Sequence, residues 1–412
     1  MSPTRREFLK TSSLIAFGAT VPTFLGRTAR AAGEAGAPGT KDTILVVVQL
    51  TGGNDGLNTV IPFADPEYAK LRPTLKIAKD QVKKLNDSVG LHPALEGMAK
   101  LYEDGAMAVV QGVGYPNPSQ SHFRSMDIWQ AASMADSLSE GWLGKALKHS
   151  PASPAFHVAY ANEPAPLALA GAPARVPSIA SLADFQLKVV AAGGADTRQQ
   201  KAIIEGAAEM PNLSTRSDGN LLDFVSRTAV NTYASSRRLQ EIGKNYQPKE
   251  AYPQTGLAER LKLAAQLIDG GLGARLFYVS IDGFDTHAGQ GGANGPHANL
   301  WREVSGAVTA FYKDLAARGH QDRVCVMTFS EFGRRAKENG SRGTDHGAAA
   351  PMFLVGGRVK SGVVGEHPSL TKLEMGNLKH ATDFRQVYAA VLDRWLGVPS
   401  KDVLGGDFKA AD

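Results

Sequence analysis

Residues 43–50 read Thr-Ile-Leu-Val-Val-Val-Gln-Leu, an almost unbroken apolar run rich in valine. Branched side chains suit a pleated chain, and a run without polar alternation predicts a strand covered on both faces. A strand of that kind needs a sheet with helices on each side. The rest of the sequence supplies them. Leu91, Leu95, Met98 and Leu101 recur at helical spacing, with Pro93 suited to a first turn, and Ala106–Val113 reads as a second buried strand. Helices are predicted over Ser121–Ala132, Leu257–Ile268, Ala298–Ala317 and Phe384–Leu396, and strands over Ala274–Ile281, Arg323–Phe329 and Pro351–Val355. Strands alternating with helices predict an α/β fold, a three-layer sandwich around a mostly parallel central sheet. Residues 134–220 break the alternation; rich in Ala, Pro and Gly, they read as an insertion or cap within a single domain spanning 43–412.

The polar residues collect where the strands end. Thr51-Gly52-Gly53-Asn54-Asp55-Gly56 follows the first strand, and Asp282-Gly283-Phe284-Asp285-Thr286-His287 follows Ala274–Ile281. Ser330-Glu331-Phe332-Gly333-Arg334-Arg335 follows Arg323–Phe329, and Gly343-Thr344-Asp345-His346-Gly347 precedes Pro351. In an open α/β sheet such ends share one edge, where ligands bind. Asp55, Asp285, His287, Glu331, Asp345 and His346 therefore form a candidate ligand set of mixed carboxylates and imidazoles, suited to zinc or manganese. The same residues also serve as turn caps and structural histidines in many proteins. Asn54 is a candidate to orient a substrate oxygen, and Arg334 and Arg335 to clamp an oxyanion. The Gly52–Gly56 turn lacks the Lys-Ser/Thr of a phosphate loop and the spacing of a dinucleotide fingerprint. Ser121 precedes an apparent helix beside His122. It is either the N-cap or a hydroxyl nucleophile in the positive field of the helix end.

The first 31 residues belong to a different argument. Thr4-Arg5-Arg6-Glu7-Phe8-Leu9-Lys10 leads into an apolar stretch, Ser12–Leu25, and then Ala29-Arg30-Ala31. That order of charged, apolar and small residues predicts a twin-arginine signal peptide over 1–31, cleaved after Ala31, followed by a Gly/Ala/Pro linker over 32–42. The apolar stretch is shorter than the ~20 residues a membrane span requires. Expected partners are thus the twin-arginine translocase during export, with no membrane anchor after cleavage and a periplasmic or extracellular destination. Arg5, Arg6, Lys10, Arg27 and Arg30 against Glu7 carry +4 of the chain's net +5, which leaves the mature part near neutrality and argues against a nucleic-acid partner. Cys325 is the single cysteine, set among Val324, Val326 and Met327, and reads as an inert core thiol.

At these motifs the sequence resembles the twin-arginine-exported bacterial family catalogued as domain of unknown function 1501, within the alkaline phosphatase and sulfatase-like superfamily. The resemblance is carried by Gln49–Asn58, Leu91–Leu95, Ser121–Trp129, Gly283–His287, Thr328–Arg335, Gly343–Gly347 and Thr382–Arg385. It implies an alkaline phosphatase-like sandwich with its centre at the strand ends. It places a nucleophile near Ser121, metal ligands near Asp282 or Asp285, His287 and His346, and a first-strand ligand near Asp55. The chain departs from the superfamily at Thr51-Gly52, where an aspartate is usual. It departs again at Glu331-Phe332, where Asp-His is usual and phenylalanine cannot ligate. One ion or two thus remain open. The functional expectation is a metal-dependent hydrolase of phosphate or sulfate esters, acting on a small-molecule or polysaccharide ester with Arg334, Arg335 and His122 toward the substrate. The alternative is a non-catalytic binding or assembly protein on a degenerate hydrolase scaffold.

Overall fold

A computed structural model describes residues 42–150, 153–160, 163–182 and 241–411. The expected signal peptide and linker, and most of the second half of the 134–220 stretch, lie outside the described residues.

Twelve strands are named in chain order: β1 Ile44–Leu50, β2 Val60–Ile61, β3 Lys83–Lys84, β4 Gly90–Leu91, β5 Met107–Gly114, β6 Ala155–Val158, β7 Ser178–Ile179, β8 Leu276–Ile281, β9 Val324–Phe329, β10 Ala350–Val355, β11 Gly362–Val364 and β12 Thr382–Asp383. Among the described residues, nine of them form the central sheet in the order β11-β5-β10-β9-β1-β8-β6-β7, with β12 also paired to β5. β1 is parallel to β8 and β9 on either side, in the register Val47↔Tyr278 and Val47↔Met327. β10 alone runs antiparallel, to both β5 and β9. The short strands β2, β4 and β3 make a separate antiparallel ribbon.

The continuous apolar run behaves as its composition requires. Alternate side chains of β1 enter two different cores. Val46, Val48 and Leu50 pack with Leu261, Trp301 and Val308, which come from helices Gly256–Asp269 and Pro296–Ala316. Leu45 and Val47 face the opposite way, with Trp129, Trp142 and Tyr388 from helices His122–Ala131, Trp142–Leu147 and Phe384–Ala390. The result is the expected α/β sandwich: helix layer, mostly parallel sheet, helix layer. The Pro296–Ala316 helix begins with proline at its first turn and buries His297, Trp301, Val304, Val308, Phe311 and Leu315 at three- and four-residue intervals. Cys325 is buried in β9, and burial pushes its thiol up to about 12, so it stays protonated and unreactive. No helix among the described residues is long and apolar enough to cross a membrane.

Two regions differ from their sequence readings. β6 and β7, inside the stretch read as an insertion or cap, extend the main sheet beyond β8. They are four and two residues long, too short to give a periodic signal. The helix expected over Phe384–Leu396 is α-helical to Ala390 and turns into a π-helix over Val391–Leu396, which ends at Gly397 in the left-handed region.

Candidate metal centre

The antiparallel strand is what assembles the site. Because β1, β5, β8 and β9 run the same way, their carboxyl ends share one edge of the sheet; β10 runs against them, so its leading segment, with Asp345 and His346, reaches that same edge. The backbone at this edge is tight. Gly52 adopts φ +117°, and a Cβ there would overlap the backbone nitrogen of Asp285; Gly53, at φ +81°, is covered by the ring of Phe332. Only glycine lets the first-strand loop pass this close under the Asp285–His287 segment.

Four side chains converge above those loops. Asp285 is central: its Oδ1 lies 3.0 Å from His287 Nε2 and 3.2 Å from His346 Nε2, and its Oδ2 lies 3.5 Å from His122 Nε2. The two Nε2 atoms of His287 and His346 are 2.8 Å apart. His122, Asp285 and His346 each offer a ligand atom, all within 4.8 Å of one another. Two of the three outer nitrogens are anchored. His122 Nδ1 pairs with Glu331 Oε1 at 2.8 Å, and His346 Nδ1 with the backbone carbonyl of Gln120 at 2.8 Å. His287 Nδ1 faces Asp345 Oδ1 at 3.7 Å. An imidazole whose Nδ1–H is engaged presents a lone pair at Nε2, the arrangement metal-binding histidines use. His122 Nε2 is buried and has no hydrogen-bond partner.

The surrounding groups fix this cluster. Arg334 is buried, and its guanidinium donates to the carbonyls of Gly52, Gly53, Phe284 and Thr344 and, at 2.6 Å, to Asp285 Oδ1. Burial pulls the Asp285 carboxyl up, but the Arg334 bond and charge, with His287 and His346, outweigh it and hold it below its ordinary value. The Glu331 bond raises His122 above its usual range, against partial desolvation, whereas desolvation lowers His346. Phe332 fills the space beside the imidazoles, its ring centroid 4.9 Å from that of His122 and 4.7 Å from that of His346.

Several expected site residues have other roles. Asp55 is fully buried, and both its oxygens are taken, by Arg72 at 2.5 and 2.8 Å and by Gln290 at 2.5 Å. It is not a metal ligand in this arrangement; it is the anionic half of a buried ion pair. Asn54 turns inward, where its Oδ1 accepts from Thr59 and lies 3.2 Å from His297. It is fully buried and so does not face a substrate. Glu331 is fully buried and accepts from the Gly52 N–H, His122 and the Ser330 hydroxyl, so it supports His122 rather than ligating. Asp345 stands behind His287 and accepts from Asn339 at 3.0 Å. The exposed Asp282 accepts from its neighbour's N–H, Gly283, leaving Asp285 as the aspartate of the cluster. Arg334, expected at an oxyanion, instead positions Asp285. His122, expected to face the substrate, joins the ligand set. Ser121 is the exposed N-cap of His122–Ala131, yet its side chain makes no capping hydrogen bond. Arg335 lies outside the cluster, beside a cavity.

The profile of the family described as "Protein of unknown function (DUF1501)" matches residues 42–404. The chain belongs to this family. No curated protein matches it in sequence. Among solved structures the DUF1501 chain is similar to the PsFucS1 sulfatase from Pseudoalteromonas sp., at 13% identity and TM-score 0.37, over 99% of this chain and 77% of that one. It is also similar to alkaline phosphatase from the Antarctic bacterium TAB5, at 13% identity and TM-score 0.32, over 78% and 94%. A third is the lipoteichoic acid synthase LtaP from Listeria monocytogenes, at 11% identity and TM-score 0.31, over 86% and 79%. At these scores the likenesses lend nothing to the reading of the site.

The site must be judged on its own donors. Three imidazole nitrogens and one carboxylate, two of the outer nitrogens hydrogen-bonded and one inner nitrogen buried without a partner, suit a divalent ion of the zinc class. With Asp55 locked by Arg72 and Phe332 unable to ligate, the described residues of this DUF1501 protein gather one group of candidate donors. Gln290 and Arg72, which tie the loops beneath the cluster, carry no motif that sequence reading could have used.

Proposed function

We propose that the protein is an exported, metal-dependent hydrolase of phosphate or sulfate esters. The observation that supports this most is the convergence of Nε2 from His122, His287 and His346 on Asp285. These four residues would hold a zinc or manganese ion, which when bound polarises an ester and offsets charge on the transferred group. The protein's own groups supply the rest. Glu331 holds the His122 ring, the Gln120 carbonyl holds the His346 ring, and the buried Arg334 fixes Asp285. Ser121 directly precedes His122, and its exposed hydroxyl has no capping bond to lose. That suits an attacking group at the positive end of a ten-residue helix. The Arg5-Arg6 pair motivates export through the twin-arginine translocase to the periplasm or beyond.

Elemental analysis of protein purified from the periplasm, with turnover of a panel of aryl phosphate and sulfate esters, tests the reading. About one zinc or manganese per chain is expected. His346→Ala should lose most of it, and Ser121→Ala should lose turnover while keeping the metal. Metal-free protein inactive on every ester would overturn the hydrolase. A precursor with both arginines changed to lysine should remain in the cytoplasm; unimpaired export would remove the twin-arginine route. One observation favours a second reading, a periplasmic binding or assembly protein. Arg334 has its guanidinium committed to backbone carbonyls and Asp285, and so cannot clamp a transferred group. Metal at full stoichiometry with no turnover of any ester would support that reading.

A further inference from the structure

Next to the metal centre lies a cavity of about 490 Å³, within the ~300–1,000 Å³ typical of small-molecule sites. It shares its wall with the centre. Gln120 lines it, and the same residue's carbonyl anchors His346. Arg335 lines it as well, and the Arg335 N–H donates to the Asp345 carbonyl, one residue from His346.

We propose that this cavity is a substrate subsite that takes a sugar or polyol bearing a tetrahedral oxyanion. The proposal rests on the hydrolase reading and extends it to substrate class. Three observations point to that chemistry. The first is charge: Arg335 and Lys379 line the cavity and have no ion-pair partner among the described residues, against the single carboxylate of Glu374. Arg335 Nε is moreover buried with no hydrogen-bond partner, a desolvated donor that an arriving oxyanion would satisfy. The second is the amide set: Asn117, Gln120 and Asn377 each both donate and accept, as recognition of hydroxyl groups requires. The third is the backbone. Of the four non-glycine residues with left-handed φ among those described, two, Asn117 at 52° and Met375 at 51°, line this cavity. Asparagine tolerates that region; an 83% exposed methionine gains no packing that would explain it. Backbone held this way clusters at ligand sites.

The test is calorimetric binding to the full purified protein of glucose 6-phosphate and glucose 6-sulfate, with glucose and inorganic phosphate as separate controls. Both sugar esters should bind at least about tenfold more tightly than either control, since the site recognises the two features together. Arg335→Gln should weaken both by about tenfold, the loss of one charge-assisted contact, with metal content unchanged. Lys379→Gln, at an exposed position that does not threaten folding, should weaken them less. Equal affinity for glucose and its esters, or an Arg335→Gln and Lys379→Gln pair that both bind as wild type, would overturn the subsite. Sugar-ester binding in a wild type that holds no metal would overturn the hydrolase reading while leaving the subsite in place.

Discussion

Asp285 receives Arg334, His287 and His346 on one oxygen and faces His122 with the other, so the three imidazoles all stand around it. Around it the support is as specific as the ligands. Glu331 is fully buried, and its Oε1 holds the Gly52 N–H and His122 Nδ1 at 2.8 Å each. Glu331→Gln keeps the shape and removes the charge that orients the imidazole. It should lower metal affinity by about 10- to 100-fold while leaving the fold intact, as measured by competition with a chelator of known strength. Unchanged affinity would mean that His122 needs no support, and therefore that it does not ligate. This level was partly legible in the sequence. Asp285-Thr-His287 and Asp345-His346 are short motifs, and their histidines, required to lie within about 8 Å to share an ion at ~2 Å ligand distances, approach to 2.8 Å. The partners of buried charges were not legible. Nothing in the sequence near Asp55 tells that Arg72, 17 residues away, claims both of its oxygens. Nor does the neighbourhood of His122 reveal that Glu331, 209 residues on, aligns its ring.

The element scale explains why the centre sits where it does. The apolar runs of β1, β8 and β9 were readable as buried strands, and the polar residues after them as an edge. The direction of β10 was not, because an antiparallel strand covered on both faces has the same composition as a parallel one. Its reversal brings His346 to the edge reached by Asp285. The sheet-extending strands β6 and β7 escaped for want of length. The loop after β1 carries the tightest constraint. Gly52 at φ +117° lies directly against the Asp285 backbone, and the Arg334 guanidinium donates to its carbonyl. Gly52→Ala adds a methyl group where backbone already stands and where left-handed geometry disfavours any side chain. It should cost about 1–3 kcal/mol of stability and displace Asp285 enough to lower bound metal. Gly319→Ala, whose added Cβ meets nothing within 4 Å at φ +76°, controls for the φ penalty alone. Equal melts and equal metal content in the two variants would show that the β1 loop does not position Asp285.

At the scale of the whole molecule, the buried charge beneath the site sets how the fold responds to acid. His297 is fully buried, and burial pushes it down to about 3, with the attraction of Asp55 only partly opposing. Its Nε2 lies 3.2 Å from both the Trp301 indole nitrogen and Asn54 Oδ1, and its Nδ1 is buried with no hydrogen-bond partner, so a charged ring would be left with a buried, unpaired nitrogen. The folded chain thus holds His297 neutral, while the unfolded chain takes up a proton below its ordinary value of 6.5. The stability tied to this group is complete above pH ~6.5 and is lost progressively as pH falls toward ~3, because the unfolded state binds the extra proton throughout that window. Asp55 acts lower. Burial raises it, but Arg72 outweighs burial and brings it to about 2 from 3.8, so its contribution is present above 3.8 and disappears between 3.8 and about 2. Acid should therefore weaken the protein in two successive windows, the first belonging to His297. Urea unfolding at half-unit steps from pH 7 to 4 should show wild-type stability falling by a few kcal/mol. His297→Gln, although less stable at pH 7, should have a clearly shallower slope between pH 6.5 and 4, since glutamine does not titrate. Identical slopes for the two proteins would mean that His297 is already charged in the folded state, and the polar layer under the metal centre would then have to be redrawn around an imidazolium facing Asp55.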